Sequence, residues 1–149
     1  MKIKKVENTN IDFLNLCKKL DDIHNEIVAE QRYPDANCCI DNEMYQNVYI
    51  MYDDKKIAGC LAFTNVKNKT AEIGRVYVCE EYRKRGIATK LLKHAEKITK
   101  NNGGKTLILD TYERLSSAIS LYKKLGFKIV PQFPDLADWP FSICMSKDI

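Results

Sequence analysis

One stretch, Ala71 to Asn102, constrains this chain more than any other. Ala71-Glu72-Ile73-Gly74-Arg75-Val76-Tyr77-Val78 is β-branched and aromatic enough to be a strand, and Arg83-Lys84-Arg85-Gly86-Ile87-Ala88 follows shortly after. From Ile87 onward Ile87, Ala88, Leu91, Leu92, Ala95 and Ile98 recur at helical spacing, with Lys90, Lys93, Lys97 and Lys100 on the other side. A strand therefore feeds a basic, glycine-containing turn that opens a helix. The first turn of a helix leaves backbone N–H groups unpaired at the positive end of the dipole, which is a place for an anion. Gly86 lets the backbone approach a ligand without a Cβ in the way, and Arg83, Lys84 and Arg85 add full charges. Phosphate is the expected guest. A nucleotide P-loop would need a second glycine followed by Lys-Ser or Lys-Thr, a dinucleotide turn would need Gly-x-Gly-x-x-Gly, and neither is present.

The turn resembles the Arg/Gln-x-x-Gly-x-Gly/Ala signature of the GCN5-related N-acetyltransferase (GNAT) family, here Arg83-x-x-Gly86-x-Ala88. A second stretch, Leu121-Tyr122-Lys123-Lys124-Leu125-Gly126-Phe127, resembles that family's Leu-Tyr-x-x-x-Gly-Phe segment. Together the two cover roughly Ala71 to Val130; the first half matches only in the order of elements. The resemblance implies an α/β (α+β) fold of the acyl-CoA N-acyltransferase type, a central mixed and mostly antiparallel sheet flanked by helices. It also implies one domain over residues 1–149 and acetyl-coenzyme A as cosubstrate, its pyrophosphate held at the turn. Cofactor-binding candidates on this ground are Val76, Tyr77, Val78, Arg83, Lys84, Arg85, Gly86, Ile87, Ala88 and Thr89. Backbone N–H groups near Val76 to Val78 would polarise the thioester carbonyl and pair with the pantetheine like an added strand.

In that family the tyrosine at the position of Tyr122 often protonates the departing thiolate, which is chemically sensible for a phenol of pKa about 10 facing a thiol of pKa about 8.5. The alternative is that Tyr122 packs against Ala118 and Leu125. Many members carry an asparagine seven residues earlier; here that position is Leu115, with Ser116 or Ser117 as substitute polar contacts. Glu72 is the first candidate for the base, since some members use a strand glutamate at this distance, and Asp110 is the second. Otherwise Glu72 is a strand-end carboxylate paired with a lysine. The expected activity is N-acetyl transfer to a primary amine of a small molecule or peptide, by direct attack in a ternary complex. A non-catalytic acyl-CoA sensor is the rival, and a nucleic-acid module is disfavoured because the basic residues cluster at one turn.

Elsewhere the chain reads in order. Lys2 to Glu7 is an edge strand. Thr9 and Asp12 form a capping-box-like start to a helix running to about Val28, on which His24 is a surface or helix-edge residue. Tyr33-Pro34-Asp35-Ala36-Asn37 is turn chemistry, and Cys38 to Tyr45 is a short helix or an irregular loop, with Tyr33, Asp41, Glu43 and Tyr45 as candidates for acceptor contact. Val48 to Tyr52, Ile57 to Thr64 and Ala71 to Val78 form an antiparallel meander. Alternation sets Glu72, Gly74, Val76 and Val78 on one face and Ile73, Arg75 and Tyr77 on the other. The crossover to Thr106 to Asp110 places Val76 and Leu107 to Leu109 in parallel strands. Ser116 or Ser117 caps the next helix, Gly126 ends it, and Phe127 to Val130 pairs antiparallel with Phe141 to Ser146. Between them, Phe133 and Trp139 lie on a rigid loop as an acceptor wall, core plugs or a contact between two copies of the chain.

Six cysteines, at 17, 38, 39, 60, 79 and 144, lack metal-ligand spacing and meet only two histidines, so no metal is expected, and Cys60, Cys79 and Cys144, in or beside strands, read as small buried hydrophobes. Lys and Arg number 24 against 20 Asp and Glu, a net charge of +4 too modest to imply nucleic acid. No run is long enough to span a bilayer and the N-terminus turns polar at once, which makes a cytoplasmic location the default expectation.

Overall fold

The meander and the crossover both form, and a split between two strands is what they leave behind. In the computed structural model, which describes residues 1–30, 41–136 and 141–149, the elements in chain order are β1 (Lys2–Val6), α1 (Ile11–Glu30), β2 (Asn47–Asp53), β3 (Lys56–Phe63), β4 (Thr70–Val78), α2 (Ile87–Asn101), β5 (Thr106–Tyr112), α3 (Ser116–Lys124), β6 (Lys128–Val130) and β7 (Ser142–Asp148). The seven strands form one sheet in the order β1-β2-β3-β4-β5-β7-β6. All neighbours are antiparallel except β4 and β5.

Alternation along β2 and β3 divides two cores between the faces. Tyr49, Met51, Leu61 and Phe63 meet Leu91, Leu92 and Ala95 of α2. Val48, Ile50, Cys60 and Ala62 meet Phe13, Leu16 and Cys17 of α1. Asn10 starts α1: its Oδ1 accepts from the Phe13 N–H at 3.1 Å. The cap is therefore Asn10 and not Thr9, because a helix beginning at Ile11 presents the N–H of Phe13 three residues after its cap. At α3 Leu115 occupies the cap position and no side chain caps it; Ser116 and Ser117 lie inside the first turn. The expected pairing of β6 with β7 holds, with Ile129 opposite Met145, and β7 also inserts beside β5. Cys17, Cys60 and Cys144 are buried and Cys79 half-buried, all four as free thiols. Among the described residues no helix is long and apolar enough to cross a membrane. Tyr33 to Cys39, Asp138, Trp139 and Pro140 lie outside the described residues.

β4 and β5 run parallel, as expected, but their ladder covers only Thr70, Ala71 and Glu72 against Thr106, Leu107 and Ile108, so Val76 lies beyond it. The period-2 face assignment of β4 fails. Cys60 pairs with Tyr77 but Ala62 with Gly74, leaving Arg75 and Val76 together opposite Leu61, a bulge in which Arg75 takes a left-handed φ of 54°. Ile73, Val76 and Val78 consequently share the α2-side core, while Tyr77 packs toward α1 and Arg75 reaches Asp21 of that helix. The bulge bends β4 just past its last pairing with β5, and the two strands part.

Candidate active site

Arg75 anchors the bulge. It is only 3% exposed, its Nη1 donates to Asp21 Oδ1 at 2.6 Å and its Nε to Asn42 Oδ1 at 2.9 Å. A charge this deeply buried is tolerable because it is paired and hydrogen-bonded. Its carbonyl accepts from the Cys60 thiol at 3.3 Å. The β4 backbone is thus fixed from the α1 side while its other edge, past Glu72, is left without a strand partner in β5.

Beyond β4 the chain makes a short 3₁₀ turn, Glu80–Tyr82, whose buried Tyr82 donates its hydroxyl to Asp53 Oδ2 at 3.0 Å. Arg83 Nε donates to the Val78 carbonyl at 3.1 Å and its guanidinium lies over Tyr77. Lys84 and Gly86 both take left-handed φ, 62° and 77°, curling the basic turn into the cap of α2. Such a curl aims successive N–H groups inward as an anion nest. Gly86 supplies no capping side chain, and a Cβ built there would meet nothing within 4 Å. The N-terminus of α2 therefore faces open space.

That space is a cavity of about 770 Å³. Val76, Tyr77 and Val78 form one wall, Ala118, Leu121 and Tyr122 of α3 another, and Leu20, Ile23 and His24 of α1 a third; Arg83, Lys84, Gly86, Ile87, Ala88 and Thr89 close one end. All the cofactor-binding candidates meet there except Arg85, whose guanidinium stacks over the Tyr82 ring at 5.3 Å. Leu115, Ser116 and Ser117 also line it, so the position without the family's asparagine still offers two hydroxyls. Tyr122 is a wall residue as well as a packed one, its ring edge-on to Phe127. Burial, and then the negative charge of Asp110, raise its pKa well above the ordinary phenol value.

Of the two places the sequence allows His24, surface or helix edge, open surface is the one it does not take: it is half-buried in the cavity wall, edge-on to Tyr112 at 4.9 Å. Burial, and then the charge of Arg75, lower its pKa to about 4, so the imidazole is neutral at pH 7. The helical stripe in the sequence puts Ile23 or His24 inward; that the stripe faces a gap at this level depends on the parting of β4 and β5, which has no local signal.

Glu72 is not in the cavity wall. It sits at the end of the β4–β5 ladder, half-buried, with a carboxyl pKa raised by burial and then by Asp110 and Asp135. Asp110 opens to solvent, yet enough protein surrounds its carboxylate to raise its pKa, helped by Asp135. Among the described residues no three His, Cys, Asp or Glu side chains form a group that could hold a metal ion.

The cavity fits a coenzyme A thioester: a glycine whose missing Cβ leaves a cradle, an uncapped helix N-terminus and two cations at one end, and an apolar slot between parted strands leading to a protonated phenol. Fold and site together define a protein of the acyl-CoA N-acyltransferase type. Residues 14–127 match the Acetyltransferase (GNAT) family, and the chain belongs to that family. It is similar to "Probable N-acetyltransferase 14" of Xenopus tropicalis, 35% identical over 80 residues that are 53% of this chain and 39% of that protein. It is also similar to "[Ribosomal protein bS18]-alanine N-acetyltransferase" of Salmonella typhimurium, 32% identical over 85 residues, 57% of this chain and 56% of that one. The chain thus spans from about two fifths to just over half of these relatives. Among solved structures, a Bacillus subtilis acetyltransferase in complex with CoA superposes with a TM-score of 0.72 at 22% identity, over 99% of this chain and 98% of that one, which shows the shared fold.

Proposed function

We propose that this protein transfers an acetyl group from acetyl-coenzyme A to a primary amine, by direct attack in a ternary complex. The observation that carries the reading is the convergence, in one cavity, of the uncapped α2 N-terminus at Gly86, the unpaired β4 edge at Val76–Val78 and the hydroxyl-bearing Tyr122. The names of the curated relatives support it, as does the CoA in the related solved structure.

When bound, the cosubstrate supplies an acetyl thioester whose carbon–sulfur bond breaks as the amine nitrogen bonds to the acetyl carbon. The N–H groups of residues 86–89 hold the pyrophosphate, with Arg83 and Lys84 as countercharges. The free edge of β4 pairs with the pantetheine and directs an N–H at the thioester oxygen, where negative charge develops. Tyr122 Oη, kept protonated by its surroundings, gives its proton to the departing sulfur. Glu72, whose raised pKa makes it a better base than a surface carboxylate, takes the proton from the amine on the other side of the split. A cytoplasmic setting belongs to this reading, consistent with four free thiols.

Thermal-shift titration with acetyl-CoA, CoA and adenosine monophosphate tests it, comparing wild type with Gly86→Glu. The first two should stabilise the wild type by about 3 kcal/mol at a hundredfold excess over Kd, and Gly86→Glu, which fills the cradle with a carboxylate, should abolish the effect. Gly86→Ala serves as the control for backbone strain, which should cost about 1 kcal/mol without removing binding. No shift at saturating acetyl-CoA overturns the reading.

A further inference from the structure

Beyond the cavity, α2 and α3 flank a second hollow. Their N-terminal parts line the cavity, and their C-terminal parts, together with β7, line a groove of about 600 Å³ that shares no residue with it. The floor of the groove is apolar: Leu92 and Phe127 are buried and Leu125 half-buried. Its rims are lysine, with Lys93, Lys97 and Lys100 on α2 and Lys124 and Lys147 on α3 and β7. Glu96 is the one acidic residue in the described lining, so the groove holds a clear surplus of positive charge.

Lysines in a last helical turn ordinarily serve the orphan carbonyls and the negative end of the dipole. Here backbone N–H groups meet those carbonyls: Asn102 donates to Ile98 at 3.1 Å and Gly104 to Thr99 at 2.8 Å, and Leu125 donates to Leu121 at 3.0 Å and Phe127 to Tyr122 at 2.9 Å. The surplus is not neutralised within the molecule either. Lys147 and Lys100 are paired with Glu96 at 2.7 and 3.1 Å, while among the described residues the exposed Lys93, Lys97 and Lys124 form no ion pair. Glu96 shows what the groove does to a carboxylate. Burial alone would raise its pKa, yet the hydrogen bonds from Lys147 and Lys100 outweigh burial and lower it. One protein carboxylate is thus already held among these lysines, and the other three cations stand beside it on the rims of an apolar floor.

We infer that this groove docks an acidic segment of a partner protein, with carboxylates on Lys93, Lys97 and Lys124 and an apolar side chain against Leu125. Charge complementarity selects the acidic residues, and the floor selects the apolar one. A nucleic acid is the poorer fit. Among the described residues no arginine lines the groove to take a phosphate bidentately, and its aromatic ring, Phe127, is buried and offers no face for a base to stack on. The docking surface is independent of acetyl transfer, since it lies outside the cavity.

Fluorescence anisotropy at low ionic strength tests it with a fluorescein-labelled peptide, Glu-Glu-Leu-Glu-Glu-Phe-Glu-Glu, and two analogues, one with glutamine for every glutamate and one with serine for the leucine and phenylalanine. The acidic peptide should bind about tenfold or more tighter than the glutamine analogue and about fivefold tighter than the serine analogue. Lys93→Gln, Lys97→Gln and Lys124→Gln combined should weaken it about thirtyfold with thermal melts unchanged, because all three side chains are exposed. Lys2→Gln, Lys55→Gln and Lys56→Gln, which remove the same charge from exposed positions elsewhere, should weaken it less than about twofold. Equal losses in the two triple variants, or no binding by the wild type, overturn the inference. Tighter binding of a thymidine octamer would assign the groove to nucleic acid, displacement of the peptide by CoA would assign it to the coenzyme, and a peptide-free dimer that the first triple variant dissociates would assign it to a second copy of the chain; each of these overturns it as well.

Discussion

Tyr122 sits where two demands on one side chain agree. Its ring packs edge-on to Phe127, and its burial, reinforced by Asp110, keeps the phenol protonated beyond the ordinary value of about 10. Tyr122→Phe keeps the packing and removes the proton, so kcat should fall about a hundredfold while the acetyl-CoA affinity read by thermal shift stays unchanged. Because the pKa is raised, the wild-type rate should show no alkaline loss attributable to this residue up to pH 10. An undiminished kcat in Tyr122→Phe would assign the leaving-group proton elsewhere. Tyr122 and Gly86 were legible because each stands inside a short motif whose chemistry is local: a positive-φ glycine opening a helix, a tyrosine before a glycine-ended one. His24 was not. Whether a half-polar residue on a helical stripe meets core, solvent or a gap is decided by elements far away in the chain, here the parting of β4 from β5.

At the level of elements, the three-strand meander, α2 and the β6–β7 pair follow from periodicity and turn chemistry, and the bulge in β4 does not. Sequence reasoning would give any left-handed residue there to Gly74, yet it is Arg75 that takes positive φ, while Gly74 serves to leave room for Tyr45 Oη. What compensates the strain is the tie from Arg75 to Asp21, 54 residues away and invisible to any local pattern. Asp21→Ala should therefore destabilise the fold by about 3 kcal/mol in denaturant melts, because it strands a buried guanidinium. Arg75→Met combined with Asp21→Ala should recover part of that loss, since no charge then remains to be satisfied. Amide exchange in 73–78 should quicken in the single variant. A cost under about 1 kcal/mol would mean that Asn42 and the surrounding groups hold the bulge without Asp21.

For the molecule as a whole, a sheet joined across its middle by a three-residue ladder carries ionisable groups of opposite tendency on either side of the join, and its acid stability reflects both. His24 has a native pKa of about 4 against an unfolded value of about 6.5, so between these pH values the unfolded chain binds a proton that the native state refuses. Stability from His24 is complete above pH 6.5 and falls by about 1.4 kcal/mol per unit as pH drops toward 4. Glu72 and Asp110 act in the other direction: their native pKa values are raised, so the native state takes up their protons first and acidification through that range favours it. The wild-type profile is thus a difference of terms, and the term from His24 has to be isolated. Between pH 7.5 and pH 5 wild type should lose about 2 kcal/mol more stability than His24→Gln, which keeps a polar side chain but cannot take a proton. Guanidinium melts of both proteins at the two pH values measure this directly. Equal losses would show that the imidazole is protonated in place as readily as in the unfolded chain, and the α1 wall of the cavity would then add a positive charge near the thioester at mildly acid pH instead of remaining neutral beside it.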